Sequence, residues 1–84
     1  MRVAIIGTGN IGTDLLYKLL KIPFCKVVAF VGRRESTKEL PEGVSYYSTG
    51  IQHFKDNPGV CDIVFDCTDA STAKSNAEVF LSQN

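Results

Sequence analysis

The chain has 84 residues, nine of them basic and nine acidic, and so carries no formal net charge at neutral pH. Nothing in that balance argues for an electrostatic grip on a nucleic-acid backbone or an anionic membrane, which disfavours nucleic-acid binding. The length supports one small domain with a thin core, in which roughly 60–65% of the unfolded surface can be buried. No apolar run approaches the about 20 residues of a membrane span. Cys25, Cys61 and Cys67 are odd in number and lack CxxC spacing, which suits reduced thiols in a cytoplasmic protein better than a disulfide framework. With a single histidine, His53, a zinc site is not expected.

The apolar segment Val3-Ala4-Ile5-Ile6 predicts a first strand, and it runs directly into Gly7-Thr8-Gly9-Asn10-Ile11-Gly12. This GxGxxG run opens a helix-patterned stretch, the order a dinucleotide-binding turn requires. Gly7 permits the tight turn, Gly9 lets backbone approach a pyrophosphate, and Gly12 lets the helix pack closely on the strand. The free amides and positive dipole end of that helix would face the phosphates. Ile11, Leu15, Leu16, Leu19, Leu20 and Ile22 recur at spacings of three and four, marking the helix face laid on the sheet, and Pro23 stops it. Asp14 fits the dipole of the first helical turn.

Lys26 to Val31 reads as a buried parallel strand ended by Gly32. From Arg33 to Gly43 the chain is polar and carries Pro41, so a loop or broken helix is expected. Val44 to Tyr47 predicts a short third strand, Gln52 to Lys55 a brief helix, and Asn57-Pro58-Gly59 a turn. His53 falls in this turn-rich stretch and is expected at the surface. Tyr46 and Tyr47 show no pattern that suggests base stacking. Asp62 to Cys67 is the fourth strand. From about Ser71 a closing helix places Ala73, Ala77, Phe80 and Leu81 on one face, with Asp69 as its cap.

These elements predict an α/β fold, a Rossmann-like doubly wound parallel sheet with strand order 3-2-1-4, truncated after the fourth strand and its helix. The crevice then lies between the glycine turn and the loop Cys67 to Ser71. Residues 1–84 read as the N-terminal dinucleotide-binding domain of a larger dehydrogenase. The apolar edge left by the fourth strand predicts self-association or marginal stability.

Acidic residues that bind the NAD ribose stand about 20 positions beyond the glycines. Here that position is Gly32, followed by Arg33, Arg34 and Glu35. Glycine makes room for a 2′-phosphate and a guanidinium grips it with two hydrogen bonds, which favours NADP over NAD. An arginine also stacks on adenine without selecting the phosphate, both arginines can be solvated loop charges, and Glu35 turned inward would restore NAD binding. NAD or NADP is therefore the expected cofactor.

At residues 3–15, and again at Asp62-Ile63-Val64-Phe65-Asp66-Cys67-Thr68, the chain resembles the acylating acetaldehyde dehydrogenases. The resemblance implies a cofactor domain with Gly7, Thr8, Gly9, Asn10, Ile11 and Gly12 around the pyrophosphate and Thr68 near the cofactor. It implies a parent enzyme that oxidises acetaldehyde to acetyl-CoA with a nicotinamide dinucleotide and coenzyme A, coupled to an aldolase. The family has an acidic, proline-containing segment where this chain has Gly32-Arg33-Arg34-Glu35-Ser36, and its catalytic cysteine lies beyond residue 84. No catalytic residue is therefore assigned within the chain. Cys67 sits beside the expected crevice, but a cysteine in a strand more often serves as a small apolar residue. Two other readings stay open: the cofactor domain of a diaminopimelate or semialdehyde-class dehydrogenase, and a non-catalytic nucleotide-binding module.

Overall fold

The computed structural model describes residues 1–35 and 39–83. Its elements in chain order are β1 (Arg2–Ile6), α1 (Asn10–Leu19), β2 (Lys26–Val31), β3 (Tyr46–Tyr47), α2 (Ile51–Asp56), β4 (Ile63–Asp66) and α3 (Ala70–Ser82). The four strands form one parallel sheet in the order β3-β2-β1-β4, as the sequence pattern predicts.

Two apolar layers follow from the alternation of side chains along β1. Val3 and Ile5 point to one face and meet Leu16 and Leu19 of α1, with Val27 and Phe30 from β2. Ala4 and Ile6 point to the other and meet Ala29, Val31 and Phe54. The register between β1 and β2 slips between Val3 and Ala4, so Val28 and Ala29 both serve the second face. This bulge lets β2 stay buried on both sides despite an apolar run with no visible alternation.

α1 ends at Leu19, three residues before Ile22, because the chain tightens ahead of Pro23: Lys21 and Ile22 donate to the carbonyls of Lys18 and Leu19, three residues back. The expected apolar face is accordingly narrower. Ile11 is 75% exposed and Leu20 is also exposed, while Leu16 and Leu19 are buried. Asp14 lies beyond the first turn and pairs with Lys18 at 2.7 Å, one helical turn on, so the dipole does not account for it.

The expected third strand shortens to Tyr46–Tyr47. Val44 instead closes a turn onto the Pro41 carbonyl, although Phe30 N–H still reaches the Ser45 carbonyl. The stretch from Arg33 to Gly43 forms no helix among the described residues; residues 36–38, including Ser36, lie outside them. β4 is shorter than expected at both ends, but Asp62 and Cys67 N–H groups continue its pairing to Arg2 and Ile6.

The face of α3 differs from the expectation. Phe80 packs edge-on against Phe54, with ring centroids 5.1 Å apart, and this fixes the rotation of the helix. Asn76, one turn earlier, is then buried, whereas Ala77 and Leu81 turn outward. His53 is likewise not at the surface. It is 7% exposed, stacked on Tyr47 with centroids 4.0 Å apart and against the edge of Phe54. The aromatic residues Tyr47, His53, Phe54 and Phe80 thus run as one chain of ring contacts beneath the sheet.

Candidate functional site

The carboxyl ends of β1, β2 and β4 open into one cleft of about 550 Å³. Its walls come from Gly7 to Gly9 after β1, Gly32 to Arg34 after β2, Cys67 to Asp69 after β4, Gly50 and Ile51 at the start of α2, and Thr72 and Asn76 of α3. A crevice beside the central strand, where the order of strands reverses, is where parallel α/β sheets bind ligands.

Backbone hydrogen bonds fix the rim. Gly7 N–H donates to the Val31 carbonyl at 2.8 Å, Gly32 N–H to Tyr47 at 2.9 Å, and Gly50 N–H to Gly32 at 2.8 Å. Gly7 has φ +104°, and a side chain there would strike the backbone of Cys67 at 2.7 Å. Gly12 packs so closely on Gly7 that a methyl group would overlap the Gly7 carbonyl oxygen. Gly9 differs: nothing lies within 4 Å of where its side chain would be. Two of the glycines therefore let strand, helix and β4 meet, and the third leaves the mouth of the turn open.

α1 carries no side-chain cap at Gly9 and no acidic residue in its first turn. The first amides of a helix have no intrahelical acceptor, so this terminus offers unneutralised N–H groups to an anion. Asn10, Ile11 and Gly12, expected around a pyrophosphate, form this helix start and do not themselves line the cleft. α3 is arranged differently. The Asp69 carboxylate accepts from Thr72 N–H at 2.9 Å and from the Ser71 hydroxyl at 3.0 Å, capping the helix as expected. The Thr72 backbone bond first, then the Thr72 and Ser71 side chains, hold the Asp69 carboxyl below its ordinary value, with a contribution from the charge of Arg33.

Arg33 and Arg34 are exposed on the β2 side of the cleft. The stem of Arg33 lies over Gly50, where a side chain would meet its Cγ at 3.1 Å. The space beside Gly32, expected from sequence to be room for a 2′-phosphate, is instead filled from within: a Cβ there would come to 2.5 Å from the Tyr46 hydroxyl and 2.8 Å from Thr8 Oγ1. The Tyr46 hydroxyl donates to the Arg34 carbonyl and so ties β3 to the arginine turn.

On the opposite side, Asp66 is half-buried and its carboxylate accepts from Thr68 N–H at 2.9 Å, from the Thr68 hydroxyl, and from Asn76 Nδ2 at 3.0 Å. Asp66 and Asp69 are therefore each tied into local structure and are not a facing pair. Cys67 is half-buried, and burial first, then the Asp66 charge, push its thiol above the ordinary value. That is the reverse of what activates a thiolate. Burial also raises Cys61.

Of the residues singled out from sequence, Gly7, Thr8, Gly9, Gly32, Arg33, Arg34 and Thr68 converge on the cleft. Sequence reasoning missed Asn76, Thr72 and the α2 start at Gly50. The signal for Asn76 was a polar residue four positions before Phe80, on the buried row of an otherwise apolar face.

Comparison with known proteins agrees with this geometry. The family described as semialdehyde dehydrogenase, NAD binding domain, matches residues 2–84. Acetaldehyde dehydrogenase of Bacillus thuringiensis (strain Al Hakam) is 42% identical over 82 residues, covering 93% of this chain and 27% of that protein. Acetaldehyde dehydrogenase of Spirochaeta aurantia is 43% identical over 74 residues, covering 83% of this chain and 25% of that protein. For the Thermus thermophilus protein of that name the identity is 39% over 84 residues, covering 94% and 27%. The chain thus spans about a quarter of the length of these curated relatives. An open, uncapped glycine turn at the centre of a 3-2-1-4 sheet and a family match over nearly every residue place the chain in the NAD-binding domain family of the semialdehyde dehydrogenases.

Proposed function

We propose that the chain is the N-terminal NAD(P)-binding part of an acylating aldehyde dehydrogenase that converts acetaldehyde to acetyl-CoA. The single observation that carries the binding role is the uncapped α1 terminus opening, through glycines, onto a cleft of about 550 Å³. Gly7 to Gly9 and the first amides of α1 hold the pyrophosphate. Thr68 stands on the β4 side, and Arg33 and Arg34 meet the adenosine end on the β2 side. The nicotinamide, when bound, supplies the hydride-accepting chemistry. This chain's own residues bind and orient it.

The acetaldehyde reading rests on relatives named acetaldehyde dehydrogenase, at about 40% identity. The thiol nucleophile, coenzyme A and an aldolase partner belong to the remainder of such an enzyme. Cys67 does not take the thiolate's place, since its thiol is raised and half-buried. The family description favours a second reading, the cofactor domain of a semialdehyde-class dehydrogenase. Three free cysteines suit a cytoplasmic, reducing setting. No described helix is long and apolar enough to cross a membrane.

NADP is the preferred form. No acid stands at Gly32, and two exposed guanidinium groups line the cleft beside it. Calorimetric titration with NAD and NADP at fixed ionic strength tests this. NADP is expected to bind about tenfold more tightly, with Arg33→Ala or Arg34→Ala removing the difference. Equal affinity for the two nucleotides in the unsubstituted chain rejects the phosphate clamp. Binding of neither rejects the dinucleotide site.

A further inference from the structure

We propose that His53 is a positioning residue for the β2 side of the cleft: its neutral ring keeps Tyr47 and Gly50 clamped on Gly32, and its protonation loosens the Arg33–Arg34 turn and weakens dinucleotide binding. The proposal rests on the dinucleotide reading above and concerns how that site responds to pH.

Gly32 immediately precedes the two arginines and is held at both of its backbone groups. Its N–H donates to the Tyr47 carbonyl at 2.9 Å, and its carbonyl accepts from Gly50 N–H at 2.8 Å. His53 reaches both of these partners. Its own N–H donates to the Gly50 carbonyl at 3.1 Å, and its ring lies on the Tyr47 ring with centroids 4.0 Å and planes 24° apart. β3 has only two residues, so the sheet gives Tyr47 little support of its own. The Arg33 stem in turn lies over Gly50. Gly50 and Ile51 line the cleft and His53 does not, so the imidazole acts through the clamp and not on the ligand.

A charge on this ring cannot be accommodated where the ring lies. His53 is buried and its Nε2 has no hydrogen-bond partner among the described residues. An unpaired imidazolium there carries the full cost of a buried charge. Its cover is Tyr47, which is 38% exposed, so the charged ring reaches water by displacing the Tyr47 ring and pulling at the carbonyl that holds Gly32. The surroundings supply little to prevent this. Asp56, on the same helix, favours the proton, but burial opposes it more strongly. From β3 the phenol ring of Tyr47 faces the imidazole, and from α3 the uncharged Phe80 and Gln83 meet α2 at Phe54. The Cys61 thiol, in the apolar layer with Phe54, is raised by burial and stays neutral. Lys55 and Arg33 are exposed to water. The clamp is therefore complete above the ordinary imidazole value of 6.5 and opens as the pH falls below it, through the lower folded-state value.

Calorimetric titration with NAD from about pH 8 to about pH 5.5 tests this; NAD is the probe because the 2′-phosphate of NADP itself titrates in that range. Affinity is expected to fall about three- to tenfold on going down, with the Gly32 and Gly50 amide resonances moving at the midpoint of the His53 ring. In His53→Phe the affinity is expected to stay constant within about twofold over the same range. Asp56→Asn leaves the ring in place and removes the charge that favours its proton, so the midpoint is expected to move down by roughly a few tenths of a pH unit. That variant decides the matter if His53→Phe fails to fold. A fall of the same size in His53→Phe, an unmoved midpoint in Asp56→Asn, or a Gly32 resonance that ignores the His53 midpoint overturns the proposal. So does loss of the far-UV circular dichroism before affinity falls, because acid then unfolds the chain instead of opening the clamp. If NAD binds and its affinity is flat or rises as the pH drops, this inference falls and the dinucleotide reading stands. If NAD does not bind at about pH 8, both fall.

Discussion

The Tyr46 hydroxyl occupies the space that a side chain on Gly32 would need. The ideal Cβ position at Gly32 lies 2.5 Å from that oxygen, which is held in place by its bond to the Arg34 carbonyl. An acidic residue at the end of β2, the usual ribose ligand of NAD-binding domains, therefore has no room here. Gly32→Ala is expected to destabilise the fold by about 1–3 kcal/mol, the cost of overpacking a closed site. Combining it with Tyr46→Phe, which deletes the obstructing oxygen, should recover part of that loss, read as a non-additive coupling in urea-unfolding cycles. Additive effects of the two substitutions would show that the contact does not limit position 32.

The glycines of the turn separate into two kinds, and stability and binding should separate with them. Gly12 abuts the Gly7 carbonyl on its inner side, so Gly12→Ala forces α1 away from β1 and is expected to cost at least about 2–3 kcal/mol. Gly9 has φ −72°, which alanine adopts freely, and open space where a methyl would sit. Gly9→Ala should therefore change stability by no more than about 0.5 kcal/mol while weakening dinucleotide binding, since Gly9 lines the cleft. Thermal unfolding and titration on the same two variants check both halves. A strongly destabilised Gly9→Ala would contradict the division.

Much of this architecture is legible in the sequence because its signals are local. The Val3 to Ile6 run, the glycine spacing, and Pro23 placed ahead of a second apolar run dictate β1 and β2 nearly to the residue and the start of α1, whose end falls three residues short of the expected Ile22. The Asp69 cap was readable for the same reason, being three residues from its amide partner. What escaped depends on long-range packing. Asn76 bonds Asp66 ten residues away, and the rotation of α3 that buries it is set by Phe80 meeting Phe54. Periodicity alone allowed Ala77 and Leu81 to share that face. His53 looked like a turn residue because the short α2 gives no sustained pattern; its burial comes from Tyr47, on a two-residue strand that only the sheet defines. The resemblance to acylating dehydrogenases singled out Thr68, which lines the cleft, but carries no sign of its bonds to Asp66.

His53 makes stability depend on pH in a predictable direction. Its Nε2 is buried without a hydrogen-bond partner among the described residues, and burial lowers its affinity for a proton, an effect only partly offset by the Asp56 charge. The unfolded chain keeps an ordinary imidazole near 6.5, so it binds the proton first as pH falls. The contribution of neutral His53 is thus full above that value and is lost as the pH drops through it toward the lower folded-state value. Urea midpoints measured between about pH 8 and pH 5 should decline over this range. The lowered Asp62 and Asp69 carboxyls act only further down, below their ordinary value of 3.8, and do not confuse the window. His53→Phe keeps a ring against Tyr47 and removes both the proton site and the unpartnered nitrogen. It is expected to flatten the decline and to raise stability at neutral pH by about 1 kcal/mol. A decline of the same size in His53→Phe would assign the pH dependence to another group.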